Sequence, residues 1–183
     1  MATFDSTAVR LKTGEEITVR CAEGNDAEAL LEMTRSVIAE GRHHLTKPEE
    51  FNATAEEEKN WIHQVSQSPN RLILLAEIRG EIIGMLDFHG GEKKRLRHTG
   101  SLGMSVQKNW RNRGVGSVLL AILLKWASNH PELRKICLEV FADNEGAIGL
   151  YRKAGFRTEG RLVHHVRMED GSYTDLIQMC RFV

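Results

Sequence analysis

Hydrophobic positions along the chain switch between a spacing of two and a spacing of three to four, and the switches mark its elements. Ala8-Val9-Arg10-Leu11 and Ile17-Thr18-Val19-Arg20 flank a polar stretch with Gly14, which reads as a hairpin over residues 8–20. Leu30, Leu31, Thr34, Val37 and Ile38 then recur at helical spacing. Asn25, with Glu28 three residues on, is placed to cap that helix reciprocally. A polar, histidine-bearing stretch from Gly41 to Asn52 interrupts the pattern, and Thr54-Ala55-Glu56-Glu57 opens a second helix with a capping box. Two apolar runs, Arg71 to Ile78 and Glu81 to Phe88, flank Arg79-Gly80 and predict an antiparallel hairpin. Leu102 to Val106 is a further strand. The helix ending near Ser128 is apolar nearly all round through Val118, Leu119, Ile122, Leu123, Leu124 and Trp126, so it must lie buried against a sheet. A strand from Lys135 to Phe141, a helix from Asn144 to Ala154 closed by Gly155, and two strands turning at Asp170-Gly171 complete the order. The pattern predicts an α/β fold: a single domain with helices packed on a mixed sheet.

Composition narrows the partners. Lysine and arginine number 25, aspartate and glutamate 25, so the formal charge is zero and no chain-wide attraction to nucleic acid or an anionic membrane is expected. The Lys93-Lys94-Arg95-Arg97 cluster reads as a solvated turn. Cys21, Cys137 and Cys180 sit in apolar segments without metal-ligand spacing and read as reduced, buried thiols. Adjacent histidines at 43–44 and 164–165 cannot both face one metal, so no metal site is expected. The longest apolar run is too short to span a bilayer, and a cytoplasmic location is expected.

The chemistry concentrates in two places. Arg111-Asn112-Arg113-Gly114-Val115-Gly116 joins a strand to the buried helix: its glycines permit a tight turn, the helix directs its positive end there, and the arginines add charge. The loop reads either as a phosphate cradle or as a plain helix cap. Ser117 stands where a Walker loop needs lysine and Leu119 where a dinucleotide fingerprint needs a small residue, so neither nucleotide signature applies. The second place is Leu138 to Phe156. Asn144 and Tyr151 are seven residues apart and share a helix face, while strand alternation groups Glu139 with Cys137 and Phe141. A carboxylate between such neighbours is expected to be partly desolvated, raising its pKa toward that of a useful base. Taken singly, Asn144 is also an ordinary cap, Tyr151 a packing residue and Glu139 a structural ion-pair partner.

Together, Arg111-x-x-Gly114-x-Gly116 and Asn144-x-x-Ala147-x-x-Leu150-Tyr151-x-Lys153-x-Gly155-Phe156 resemble the GCN5-related N-acetyltransferase superfamily, from about Ile17 onward. The ending from Glu159 to Asp175 is similar to its branches that acetylate amino acids and ribosomal-protein N-termini. The resemblance implies a mostly antiparallel sheet in which the strand before the cradle diverges from the next and admits acetyl-CoA. Met104 and Val106 would offer backbone groups to its pantetheine arm. Lys108, Arg111, Arg113, Gly114, Val115, Gly116 and Ser117 would surround its pyrophosphate, and Asn144, Tyr151 and Lys153 would complete the cofactor site. The acceptor would be a primary amine attacking directly, without an acyl-enzyme. Glu139 would accept its proton through a water; the strand before the cradle lacks the glutamate that many relatives place there, which leaves Glu139 leading and His98 and His165 as weaker candidates. Tyr151 would protonate the departing thiolate. A homodimer formed through the last strands is plausible on family grounds alone. A catalytically silent acyl-CoA binder is the alternative, and an unrelated nucleotide-binding fold is disfavoured. Glu40, Glu49 and Glu50 are acidic residues that could attract an ammonium or merely be solvated.

Overall fold

The computed structural model describes residues 5–183. Its strands are β1 (Thr7–Arg10), β2 (Glu16–Cys21), β3 (Arg71–Ile78), β4 (Glu81–Gly90), β5 (Thr99–Val106), β6 (Lys135–Phe141), β7 (Arg157–Arg167) and β8 (Tyr173–Phe182). They form one 8-stranded sheet in the order β1-β2-β3-β4-β5-β6-β8-β7. Every pairing is antiparallel except that of β5 with β6. The helices are α1 (Ala27–Ile38), α2 (Ala55–Gln67), α3 (Val115–Ser128) and α4 (Glu145–Lys153).

The parallel pair decides where a ligand can enter. β5 and β6 are joined only at Thr99↔Lys135, Gly100↔Ile136 and Ser101↔Cys137. Beyond Ser101, β5 continues along β4 as far as Val106, and beyond Cys137, β6 continues along β8 as far as Phe141. The strands therefore splay, leaving facing edges of backbone N–H and C=O groups without partners in the sheet. Such edges are costly if buried and dry, and ready for a ligand that can bond to them.

Two apolar layers hold the sheet. On one face α3 buries Leu119, Leu120 and Leu123 against Leu74, Leu86, Phe88, Ile136 and Leu138, and α4 adds Ile148 and Tyr151. Each fully buried leucine contributes roughly 1.5–3 kcal/mol of transfer free energy. On the other face α1 and α2 pack Leu30, Met33, Val37, Ile62 and Val65 against Ile73, Leu75 and Ile82. On β6 the residues facing α3 are buried, whereas Lys135, Cys137 and Glu139, on the opposite face, are at least partly exposed. The floor beside the splay is thus open on the α1/α2 side.

Local signals account for most boundaries. Arg79 and Gly80 both have positive φ (51° and 82°), which gives the β3–β4 hairpin a turn matched to strand twist. After α4, Gly155 (φ 86°) donates to the Arg152 carbonyl at 3.0 Å and Phe156 to that of Tyr151 at 3.0 Å, the double bond of a Schellman stop. Thr54 and Glu57 form the expected reciprocal cap on α2. At α1 the expectation fails: the helix starts at Ala27, and Asp26 rather than Asn25 serves its entry. The Asp26 carboxylate accepts from the Glu23 N–H at 2.7 Å and from both terminal nitrogens of Arg20 at 2.7 Å, a bidentate pair that pins the helix start to β2. The basic stretch at 93–97 is an exposed turn, as expected.

Candidate active site

The cradle lies at the open end of the splay. β5 runs into a short turn at Lys108–Trp110, Asn112 takes a left-handed conformation (φ 62°), and Gly114 (φ 103°) stands at the N-terminus of α3. No side chain caps this helix. The backbone N–H groups of Arg113 through Ser117 make no hydrogen bond to any described residue. Unsatisfied donors at the positive end of a helix are able to receive an anion. Gly116 has a different function. A methyl group there would lie 3.1 Å from Leu150 Cδ2 and 3.3 Å from Met104 Cε, so its missing side chain lets α3, α4 and β5 meet. Both motifs are thereby joined at one contact, and Tyr151 lies one residue beyond it.

The arginines are arranged otherwise than a cradle alone would require. Arg111 donates through Nε to the Val106 carbonyl (2.9 Å) and through Nη1 and Nη2 to both oxygens of Glu40 at the end of α1 (2.6 and 2.9 Å). Arg113 donates to Glu15 in the β1–β2 turn at 2.9 Å, with its guanidinium 5.1 Å from the centre of the Trp110 ring. Both charges, on the loop that carries the free N–H groups, are paired with carboxylates from distant segments. Lys108 and Ser117 are exposed beside them. Glu40 is therefore a partner of Arg111, and Glu50 accepts from the Lys47 N–H at 2.9 Å; neither is held for an ammonium.

The segment after α1 crosses the mouth of the splay. Glu40 holds Arg111 at the end of β5. Three residues on, His43 Nε2 lies 3.2 Å from Asp143 Oδ1 just after β6, and its ring stands 5.6 Å from that of Phe141. Arg42 adds a contact to Asp143 at 3.4 Å. Burial raises the Asp143 pKa, but His43 and Arg42 outweigh it and hold the carboxyl below its usual range. His44 is half-buried; burial, then the charge of Arg111, lowers its pKa against the opposing pull of Glu40. The segment from Glu40 to His43, where the histidine-bearing stretch begins, thus bridges both lips.

On α4, Asn144 caps the helix, its Oδ1 accepting from the Ala147 N–H at 3.1 Å. Tyr151 is 6 % exposed, and burial pushes its hydroxyl pKa up to about 12. It therefore carries its proton throughout the neutral range, as a proton donor must. Glu139 corrects an expectation: it is exposed rather than desolvated, and its Oε1 accepts from Gln178 Nε2 at 2.9 Å. The side chain of Phe141 turns to His43 instead of shielding it. Lys153, the last residue of α4, lines a cavity of about 600 Å³ with Arg157 and Arg181. His98 and His165 are exposed, and His165 lies in an irregular stretch of β7.

One pair was not anticipated. Asp87 and His89 project from β4 on the α1/α2 face, with His89 Nε2 3.1 Å from Asp87 Oδ2. Their spacing of two in an otherwise apolar strand was the available signal. Among the described residues no group of three or more histidine, cysteine or acidic side chains is arranged to hold a metal, and no helix is long and apolar enough to cross a membrane.

A mixed sheet splayed beside an uncapped helix N-terminus, with an Asn-helix-Tyr segment packed on it, defines a class of acyl-transferring proteins, and the chain belongs to the acetyltransferase (GNAT) family, whose model matches residues 38–156. It is 31 % identical over 170 residues to the L-amino acid N-acetyltransferase AaaT of Escherichia coli K12, spanning 91 % of this chain and 98 % of that protein. A GNAT-family acetyltransferase from Streptococcus pneumoniae superposes with a TM-score of 0.88 at 30 % identity, covering 91 % of this chain and 99 % of the other. The acetyltransferase yncA of Salmonella typhimurium, solved with acetyl-CoA, shares the fold at a TM-score of 0.80 and 18 % identity, over 92 % of this chain and 94 % of the other. The chain is an N-acetyltransferase.

Proposed function

We propose that this enzyme moves the acetyl group of acetyl-CoA to a primary amine by direct attack. The observation that carries this reading is the unsatisfied donor set from Arg113 to Ser117, opening beside the unpaired edges of β5 and β6. Those N–H groups, with Lys108 and Ser117, bind the pyrophosphate. Arg111 and Arg113 join them by exchanging Glu40 and Glu15 for phosphate oxygens. The backbone of Met104 and Val106 holds the pantetheine arm, and a free N–H on this edge polarises the thioester carbonyl. Asn144 contacts the arm with its amide nitrogen, and Lys153, the last residue of α4, completes the cofactor site.

An α-amino group with a pKa near ~7.7–8.0, or a lysine amine near ~10.4, arrives mostly as ammonium. Glu139 receives that proton through a water, which suits an exposed carboxylate on the open face. The amine nitrogen bonds to the carbonyl carbon, the carbon–sulfur bond breaks, and Tyr151 protonates the leaving thiolate. The remaining amine proton is released to solvent, from which Tyr151 is reprotonated.

The discriminating variant is Tyr151→Phe. Turnover is expected to fall by roughly 10²-fold or more, while the rise in melting temperature produced by acetyl-CoA persists. A melting temperature unmoved by any acyl-CoA overturns the reading. Binding without free-thiol release across amino acids, polyamines, aminoglycosides and N-terminal peptides would instead identify a silent acyl-CoA binder.

A further inference from the structure

The geometry points to Asp87 as the carboxylate that binds the acceptor's ammonium, with Trp61 as the wall for its carbon chain; this rests on the acetyltransferase reading. Asp87 pairs in register with Gly103 on β5, two residues past the last contact between β5 and β6. Its carboxylate leans across that strand: a methyl group on Gly103 would lie 2.6 Å from Asp87 Oδ1. The missing side chain at 103 thus leaves room for a carboxylate supplied by the neighbouring strand at the start of the splay. Glu139 stands on the same face at the other lip, two residues past Cys137.

The state of the carboxylate suits a cation. His89 Nε2 lies 3.1 Å from Oδ2, whereas Oδ1 accepts no hydrogen bond from the described residues and is not sealed from solvent. A carboxylate with an imidazole beside one oxygen and the other open can take a charge-assisted bond from a ligand ammonium. The cation nearest in register, Arg71 opposite His89, is already paired with Glu92. On α2, the Trp61 ring lies 6.3 Å from that of His89, and Glu58, a turn earlier, has its pKa raised by burial. An indole beside the imidazole that neighbours the carboxylate offers an apolar face and a cation–π surface to the stem of an amine. The matching class is a primary ammonium on an alkyl or aralkyl chain.

Propylammonium chloride is a minimal probe. Titrated into the full-length enzyme, it is expected to move the His89 imidazole resonances in ¹⁵N-edited NMR, and to leave them unmoved in Asp87→Asn. In turnover assays with an accepted amine, Asp87→Asn is expected to raise the amine KM about tenfold or more. The KM for acetyl-CoA should hold, and kcat should change much less. Gly103→Ala, which leaves Asp87 in place but displaces its carboxylate, should reproduce the effect on amine KM. An unchanged amine KM in both variants, or propylammonium shifts that persist in Asp87→Asn, overturns the assignment. Loss of all acetyl-CoA binding in the unaltered enzyme would instead fell the acetyltransferase reading, and the propylammonium titration would still report on Asp87.

Discussion

The starts of α2 and α3 pose the same physical problem and resolve it in opposite ways. At α2, Thr54 accepts from the Glu57 N–H at 3.2 Å and Glu57 returns a bond to the Thr54 N–H at 2.9 Å. At α3 a glycine stands at the cap, no side chain reaches back, and the N–H groups from Arg113 to Ser117, the cap glycine's included, have no hydrogen-bond partner among the described residues. The first helix consumes its dipole and donors within itself, and the second keeps them available. A helix end left unsatisfied in a well-packed chain marks where binding free energy comes from a ligand.

The largest way to break this contrast is to close the second site. Gly114→Asp sets a carboxylate among the free donors, and acetyl-CoA should bind about 100-fold more weakly through lost bonds and like-charge repulsion. Calorimetric titration measures it; unchanged affinity would remove the cradle from the cofactor site. The mirror experiment is Thr54→Ala, expected to cost about 1 kcal/mol of stability in denaturant unfolding with acetyl-CoA affinity unchanged. The smallest effect concerns His44. Its folded-state pKa is lowered from 6.5, so the unfolded chain takes up the proton first as pH falls. Its contribution is complete above pH 6.5 and is lost progressively below it, down to the folded-state pKa. His44→Gln should flatten that part of the stability profile, measured by unfolding at successive pH values.

What could be read in the sequence was local. The Arg79-Gly80 turn, the Thr54 box, the Gly155 stop and both motifs are short-range patterns whose physics acts within a few residues. The buried α3 was legible because no surface helix is apolar all round. Pairings between distant segments were not. Nothing near Arg111 announces Glu40, and nothing near Arg113 announces Glu15. Glu139 was expected to be desolvated because strand alternation names its neighbours but not what covers them, and α1 and α2 leave that part of the face open. Asp87 escaped notice because its place depends on an absent side chain at Gly103, one strand away. At α1, Asp26 replaced Asn25 because Arg20, on another element, recruited it.

The strap from Glu40 to His43 has a thermodynamic corollary. It grips the cradle through Arg111 and the far lip through Asp143, so the two sides share one segment of chain. Any ligand that draws Arg111 away from Glu40 does work on that segment, and linkage is reciprocal. Whatever factor the donor's phosphates impose on a ligand touching the strap, that ligand imposes equally on them.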